Sequence, residues 1–181
     1  MANVDFVLII RTLVEMVDHG GDWQCRHGGL LGLKHLLPTK PNLLPSVLPA
    51  IDNAMTDCID DVVGAAAGAL VSVAKHLSED SASTLVRHLM EALKDLDDLS
   101  SSTSPVLQLL STLIAQCPSA TYIGTISAII PRLVPFLHHH SSGVRLSALQ
   151  TFDTLTTSRE VASVFLKEHC STIMQVLCHQ I

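Results

Sequence analysis

The feature that most constrains the fold is a helix-start pattern that recurs at intervals near 40 residues. The helix starts around Arg26, Val63 and Arg145 look alike, because each follows a short polar turn and opens an apolar segment. Aligning these three positions gives intervals of 37 and 82 residues, and the second interval is twice 41. A further unit is therefore predicted near residue 104, where Ser104 opens another apolar segment. A repeat of this period predicts an array of stacked units.

The repeat predicts a single array of helix pairs over residues 1–181, separated by short polar turns. Only 3% of the residues are aromatic and 48% are hydrophobic, so Leu, Val, Ile and Ala must fill the core, which favours helices packing on helices. Together with the repeat, this predicts an all-α solenoid. The predicted units are 3–37, 43–77, 82–116, 125–156 and a partial unit at 160–178. The first helices of the four complete units are predicted at 3–17, 43–56, 82–96 and 125–137. Their second helices are predicted at 22–37, 61–77, 104–116 and 142–156. The partial unit is expected to leave an exposed apolar end through which chains could self-associate.

Composition and charge argue against several classes of protein. The formal net charge is −6 and the eleven Lys and Arg residues are spread along the chain, which argues against direct binding of DNA or RNA. The apolar stretch Phe6–Ile10 is too short for a secretory signal and lacks a basic start. The run Val62–Ala74 is shorter than the roughly 20 residues of a membrane span, so we expect a buried helix there. Five cysteines without CxxC spacing are typical of reduced thiols in a cytosolic or nuclear protein.

The motifs in the chain do not support catalysis, a cofactor or a metal ion, and none of these is expected. The sequence lacks a nucleophile elbow, a phosphate loop and a dinucleotide fingerprint. We interpret His138–His140 as a polar turn, because adjacent loop residues cannot easily converge on one ion. Cys170 and Cys178 would lie about two helical turns apart, too far for one tetrahedral site. The glycine motif Gly28–Gly32 falls inside a predicted helix, where small residues favour close contact between helices.

The period near 40, with two helices in each unit, resembles the HEAT-repeat family. That family places a proline inside the first helix, and Pro49 and Pro131 each stand fourteen residues before the aligned positions Val63 and Arg145. A proline inside a helix removes one backbone hydrogen bond and bends the helix, which lets helix pairs stack with curvature. We therefore expect Pro49 and Pro131 inside first helices or at their bends.

The HEAT pattern also places an aspartate in the turn and an arginine early in the second helix. Asp57 and Asp98 stand in the aspartate position, and Arg26 and Arg145 stand in the arginine position. These positions are complementary between neighbouring units, so Arg26 is predicted to pair with Asp57, and Arg145 with Asp98. The alternative is that both arginines are only solvated.

Acidic residues concentrate in the first three turns, which hold eight of the seventeen Asp and Glu residues. In a stacked array these turns line up along one edge. Capping explains some of them, because a carboxylate before a helix accepts hydrogen bonds from free backbone N–H groups. It does not explain Asp18 and Asp95, which sit at predicted helix C-terminal ends. The other interpretation is an acidic edge that binds a basic protein, and its candidate residues are Asp18, Asp22, Asp57, Asp60, Asp61, Asp95, Asp97 and Asp98.

Three segments match a more specific pattern than a generic HEAT repeat. Trp23–Leu37 reads WQCRHGGLLGLKHLL and resembles the W-x-x-R-H-G-x-L-x-G-L segment of the TATA-binding-protein-associated ATPases of the Swi/Snf-like class. Leu93–Thr103 is similar to the L-x-D-L-D-D-L-T-x-S-T segment of that family. Asp60–Leu70 is similar to its D-D-V-R-A-x-A-A-x-A-L helix, with Val63 in place of the arginine. The resemblance covers residues 22–116, with the segments in the same order.

The resemblance implies a HEAT solenoid of a nuclear transcription regulator that binds TATA-binding protein through its turns. In that family a separate motor uses ATP to remove TATA-binding protein from promoter DNA, and this sequence contains no motor motif. Trp23, Arg26, His27 and Gly28 match the family pattern and are expected to serve packing within the second helix. Two alternatives stay open: a generic HEAT scaffold, such as a transport receptor or phosphatase scaffold subunit, and an all-α enzyme with an unrecognised site.

Overall fold

The computed structural model describes residues 6–95, 101–116 and 130–157, together with the single positions 171, 174 and 178. These ranges are helical apart from their turns and contain no β-strand, which confirms the all-α prediction. The helices are α1 (Phe6–His19), α2 (Trp23–Leu36), α3 (Leu44–Ala54), α4 (Asp60–Val71), α5 (Glu79–Asp95), α6 (Thr103–Gln116) and α7 (Ser142–Thr157), and short 3-10 helices span Pro41–Leu43, Ala74–His76 and Val134–His138.

The helices stack in chain order. One layer consists of α2, α4, α6 and α7, each packed against the next. The preceding helices α1, α3 and α5 pack against α2, α4 and α6, and α1 also packs against α3. Within the part of the chain that the structure describes, the main contacts thus join each helix to its neighbours in the array, which is the arrangement of an α-solenoid. The division into the repeat units given above stays a prediction.

For the seven α-helices given above, the predicted bounds agree with the structure to within three residues, with one exception at 61–77. The start of the helix predicted at 125–137 lies outside the described residues, and its last part lies in the 3-10 helix Val134–His138. The helix predicted at 61–77 is wrong in its last part, because α4 ends at Val71 and the 3-10 helix Ala74–His76 follows. The hydroxyl of Ser72 donates to the carbonyl of Ala69 three residues earlier. Such bonds to carbonyls near a helix end satisfy acceptors that the helix itself leaves unpaired.

The two prolines lie in helical segments, as predicted. Pro49 lies inside α3. Pro131 lies in the helical residues 130–133, which continue directly into the 3-10 helix Val134–His138. Pro135 stands near the start of that segment and lacks the backbone N–H that a continuing α-helix needs.

The core between the packed helices is aliphatic, as the composition requires. The run Val62–Ala74, predicted to be a buried helix, supplies the small buried residues Ala65–Ala67 and Ala69. A β-carbon built on Gly64 would lie 3.3 Å from the α-carbon of Ser102, so α4 closely approaches the residues that lead into α6. None of the helices in the described ranges has the length and apolar character needed to cross a membrane.

The contact between α6 and α7 includes several hydroxyl groups besides its apolar side chains. The hydroxyl oxygens of Ser104 and Ser147 are 2.9 Å apart, and those of Ser111 and Thr154 are 2.8 Å apart. Thr151 is fully buried, and its hydroxyl donates to the carbonyl of Ser147 at 2.8 Å. These hydroxyl pairs satisfy buried polar groups that would otherwise destabilise the interface.

The orientation of α7 determines which of its apolar residues are buried. The spacing of Leu146, Leu149, Phe152 and Leu155 predicts a helix, and that helix is present. Phe152 and Leu155 are buried, whereas Leu146 and Leu149 are 57% and 40% exposed. The buried face of α7, which packs against α6, instead includes Ser147.

Candidate partner-binding edge at the helix turns

The turns between paired helices form a continuous edge, which we call the turn edge: residues 18–26, 55–61 and the described residues 101–103 before and at the start of α6. Arg26 in the first turn of α2 reaches Asp57 between α3 and α4. Asp61 in the first turn of α4 accepts a hydrogen bond from Ser101. These two contacts connect three successive turns. The sequence-based expectation that the turns share one edge therefore agrees with the geometry of these residues.

Arg26 and Asp57 form a bidentate ion pair. Arg26 Nε donates to Asp57 Oδ2 at 2.7 Å, and Nη2 donates to Oδ1 at 3.1 Å. The side chains are 22% and 11% exposed, so the pair is partly shielded from water. Arg26 Nη1 also lies 3.4 Å from the carbonyl oxygen of Gly20, which ties both turns to one guanidinium. The predicted pairing is confirmed. The resemblance implied that Arg26 serves packing within its own helix, and the structure shows that it also links two turns.

The surroundings of Asp57 lower its pKa. Burial by itself raises the pKa of this carboxyl, but the hydrogen bonds from Arg26 and from the Ile59 N–H, together with the charge of Arg26, outweigh burial. The hydrogen bond to Asp57 correspondingly raises the pKa of Arg26. Asp57 is therefore ionised and locally neutralised, and it adds little free negative charge to the turn edge.

The lowered pKa of Asp57 leads to a prediction about acid stability. The unfolded chain takes up a proton at this residue near its ordinary pKa of about 4, whereas the folded chain does so only at lower pH. The stabilisation by Asp57 is thus fully present above pH about 4 and is lost as the pH falls through the lowered folded-state pKa. We expect urea titrations at a series of acidic pH values to show a shallower loss of unfolding free energy in an Asp57→Asn variant. Identical slopes in the two proteins would contradict this assignment.

Three other candidate acids stand at helix N-termini. Asp22 is the N-cap of α2, and its Oδ1 accepts a hydrogen bond from the Cys25 N–H at 2.7 Å. Asp60 and Asp61 begin α4, where the helix dipole stabilises negative charge. Asp61 Oδ1 also accepts a hydrogen bond from Ser101 Oγ at 2.7 Å. The three side chains are exposed, so their local roles leave them accessible to a partner.

Ser101 is a member of the turn edge that the sequence reasoning missed. It stands 40 residues after Asp61, to which it donates its hydrogen bond. This separation equals about one repeat period, and it is the signal that could have indicated the contact.

The remaining candidate acids stand at helix C-terminal ends or outside the described ranges. Asp18 is the penultimate residue of α1 and is exposed, so its carboxylate cannot cap a helix N-terminus. Helix α5 ends at Asp95, which is the position predicted for it. Asp97 and Asp98 lie outside the described residues. Asp18 and Asp95 are therefore the described candidates whose positions helix capping does not explain.

The fourth turn is held by its own arginine. Arg145 Nη1 donates to the carbonyl oxygens of His139 at 2.8 Å and His140 at 2.9 Å. His139 is buried, its Nδ1 accepts a hydrogen bond from the Ser141 N–H at 3.0 Å, and its ring stacks on that of His140. The interpretation as a polar turn agrees with the exposed His138 and His140, whereas His139 lies in the same turn but is buried. The predicted pairing of Arg145 with Asp98 stays a prediction, since Asp98 is not among the residues described.

Among the described residues, the other motifs identified in the sequence concern metal binding, free thiols and helix packing. In the described ranges, no group of three or more His, Cys, Asp or Glu side chains is placed to hold a metal ion. The thiols of Cys25 and Cys58 are free. In the glycine motif, a β-carbon on Gly29 would lie 2.9 Å from the carbonyl oxygen of Leu13, so this residue permits close contact between α1 and α2. The turn edge itself presents exposed carboxylates.

Comparison with known proteins gives consistent matches. A family model described as RNAPII transcription regulator C-terminal matches residues 36–180. TATA-binding protein-associated factor 172 of Homo sapiens is 37% identical over 147 residues, which cover 76% of this chain. TATA-binding protein-associated factor BTAF1 of Arabidopsis thaliana is 30% identical over 174 residues (74% of this chain), and TATA-binding protein-associated factor mot1 of Schizosaccharomyces pombe is 31% identical over 159 residues (75% of this chain). The chain spans 8% of the length of each of these relatives.

Proposed function

The chain belongs to the family of TATA-binding protein-associated factors, the Swi/Snf-like ATPases that it resembles, and from this membership we propose that it is a non-catalytic, protein-binding solenoid segment of a nuclear transcription regulator. We infer that the segment binds TATA-binding protein and contributes to its removal from promoter DNA. The chain spans 8% of its relatives' length, so we assign ATP hydrolysis and any DNA contact to other parts of such proteins. The match to transcription factors favours this function over a generic HEAT scaffold.

The observation that supports a binding role is the exposed acidic surface of the turn edge. Asp18, Asp22, Asp60 and Asp61 are exposed on adjacent turns, and the shielded Arg26–Asp57 pair holds these turns together. A rigid row of carboxylates attracts a basic protein surface and accelerates the encounter of the two proteins. The row thus supplies the partner recognition that the family membership implies.

Direct binding tests the proposed partner. We expect purified TATA-binding protein on a biosensor to bind this chain saturably at low salt. The association rate is expected to fall as salt is added, because charges more than about 8 Å apart are screened at physiological ionic strength. Lack of saturable binding at low salt would contradict the proposed partner.

The acidic residues at helix C-terminal ends give the clearest test of the turn edge. We expect the double variant Asp18→Asn/Asp95→Asn to associate with TATA-binding protein about two- to fivefold more slowly at low salt, with a smaller difference at high salt. Thermal stability is expected to stay nearly unchanged, because neither residue occupies an N-cap position. Asp60 and Asp61 are poorer probes, since their removal also affects the start of α4.

A matched control separates local recognition from net charge. Glu15 on α1 and Asp153 on α7 are exposed outside the turn edge, so the double variant Glu15→Gln/Asp153→Asn removes two negative charges elsewhere. This variant is expected to associate at nearly the wild-type rate. Equal rates for all three proteins at low and high salt would show that Asp18 and Asp95 are only solvated surface.

A further inference from the structure

A groove lies between α3 and α5, on the layer opposite the α2–α4–α6–α7 stack. Helix α1 packs directly against α3, but no comparably extensive contact joins α3 to α5. The space between α3 and α5 has a volume of about 340 Å³. This size lies within the range that accommodates small ligands or a few side chains. The groove is lined chiefly by Leu48, Pro49, Asp52, Asp80, Thr84 and Leu85.

The lining of the groove combines apolar side chains with two carboxylates. Leu85 is buried, whereas Leu48 is half-buried and presents part of its side chain to the groove. Asp52 is fixed by His88, whose Nδ1 lies 2.9 Å from Asp52 Oδ1. Asp80 stands in the first turn of α5, eight residues before His88. At a helical rise of about 1.5 Å per residue, the positions of Asp80 and His88 are separated by about 12 Å along α5.

The charges around the groove favour a cationic occupant. Its described lining contains Asp52 and Asp80 and no basic side chain. Asp80 is exposed, so its carboxylate is accessible to a ligand. Among its neighbours on α5, His88 already contacts Asp52, and Arg87 is exposed outside the lining. These carboxylates would repel a polyanion. A ligand that carries a cationic group next to an aliphatic group would pair with a carboxylate and pack on the apolar part of the lining.

We propose that the α3–α5 groove binds a protein segment in which aliphatic side chains alternate with arginine or lysine. The aliphatic groups pack on the accessible parts of Leu48 and Pro49, and the basic group pairs with Asp80. This surface is separate from the turn edge. The proposal therefore does not depend on TATA-binding protein being the partner at that edge.

Two matched peptides test the proposal on the 181-residue chain. One is acetyl-Ala-Leu-Arg-Ala-Leu-Arg-Ala-amide, and the other carries the neutral isostere citrulline in place of both arginines. We expect the arginine peptide to shift the backbone amide NMR signals of residues 48, 50–52 and 80–85 saturably. The citrulline peptide is expected to bind about two- to fivefold more weakly, because it keeps the apolar contacts and loses the ion pair.

Variants locate the binding site. Asp80→Asn is expected to weaken binding of the arginine peptide about two- to fivefold, in line with the loss of one exposed ion pair. The control Asp153→Asn is expected to leave it unchanged. Thr84→Trp fills the groove and is expected to abolish binding, with circular dichroism and the melting temperature showing that the helices remain. Should Thr84→Trp unfold the chain, Asp80→Asn and the citrulline peptide still decide the question.

Three results would overturn the proposal. The first is equal binding of the two peptides, and the second is lack of any saturable shift. The third is a set of shifts centred on Asp60 and Asp61, which would assign peptide binding to the turn edge. Each of these results leaves the measurement with TATA-binding protein, and hence the proposed function, to be judged separately.

Discussion

The Asp57→Ala variant is expected to lose about 2 kcal/mol of the free energy of unfolding, because it leaves the Arg26 guanidinium and the Ile59 N–H without their shared acceptor. The substitution removes both hydrogen bonds from Arg26 and the bond from the Ile59 N–H. It also removes the tie between two successive turns, so the loss affects the junction of neighbouring helix pairs. Urea denaturation near neutral pH measures this change directly.

An exposed ion pair in the same chain provides the control for this experiment. Arg11 and Glu15 lie one helical turn apart on α1, with side chains 76% and 55% exposed. Because water screens such a pair, Glu15→Ala is expected to change stability much less than Asp57→Ala. The double variant Arg26→Ala/Asp57→Ala is expected to lose less than the sum of the two single variants. The outcome against this prediction has two parts: the losses of the two single variants are additive, and neither exceeds the loss of Glu15→Ala. This result would show that the Arg26–Asp57 pair does not hold the turns together.

The Gly29→Ala variant is expected to lose about 1–3 kcal/mol of stability, the cost of overpacking a close helix contact. Its β-carbon would lie 2.9 Å from the carbonyl oxygen of Leu13 and 3.0 Å from side-chain atoms of Met16 and Val17. The first of these neighbours is a backbone atom that cannot rotate away, so α1 must shift. Thermal and urea denaturation measure the resulting loss.

The adjacent glycine gives the opposite expectation. A β-carbon on Gly28 would meet only the terminal methyl group of Met16, at an ordinary contact distance of 3.7 Å. Gly28→Ala is therefore expected to raise stability by about 0.5–1 kcal/mol, because alanine loses less backbone entropy than glycine in a helix. If both variants were stabilising, the close packing of α1 on α2 at Gly29 would not be required.

Most helix positions were predictable because local features of the chain determine them. Asp22 supplies a capping carboxylate where α2 begins. Leu30, Leu33 and Leu37 follow one another at helical spacing, and all three are fully buried. Burial of such a stripe requires only that another helix packs on it, so the pattern predicts the helix without knowledge of its neighbour.

The Arg26–Asp57 pair was predictable for a different reason. The two residues are 31 positions apart, and no local pattern connects them. In a repeat array each unit contacts the next in the same way, so the position of a residue within one unit predicts its neighbour in the adjacent unit. The same logic applies to Asp61 and Ser101, which the sequence reasoning did not pair.

The groove could not be predicted from the apolar pattern. Its lining comes from two helices, and it exists because α3 and α5 are less closely packed than α1 and α3. The distance between two helices depends on the side chains of both. Leu48 and Asp80 become parts of one surface only when α3 and α5 have been positioned.

Local patterns in the amino-acid sequence thus account for the helices, their order and the acidic character of the turns. Long-range packing decided the outcome for individual side chains: Asp57 is neutralised by Arg26, His139 is buried, and Leu146 is exposed while Ser147 is buried. The physical reason is that helix formation depends on neighbours three or four residues away. The face that a helix buries, and the charge that a carboxylate leaves free, depend on residues from other helices.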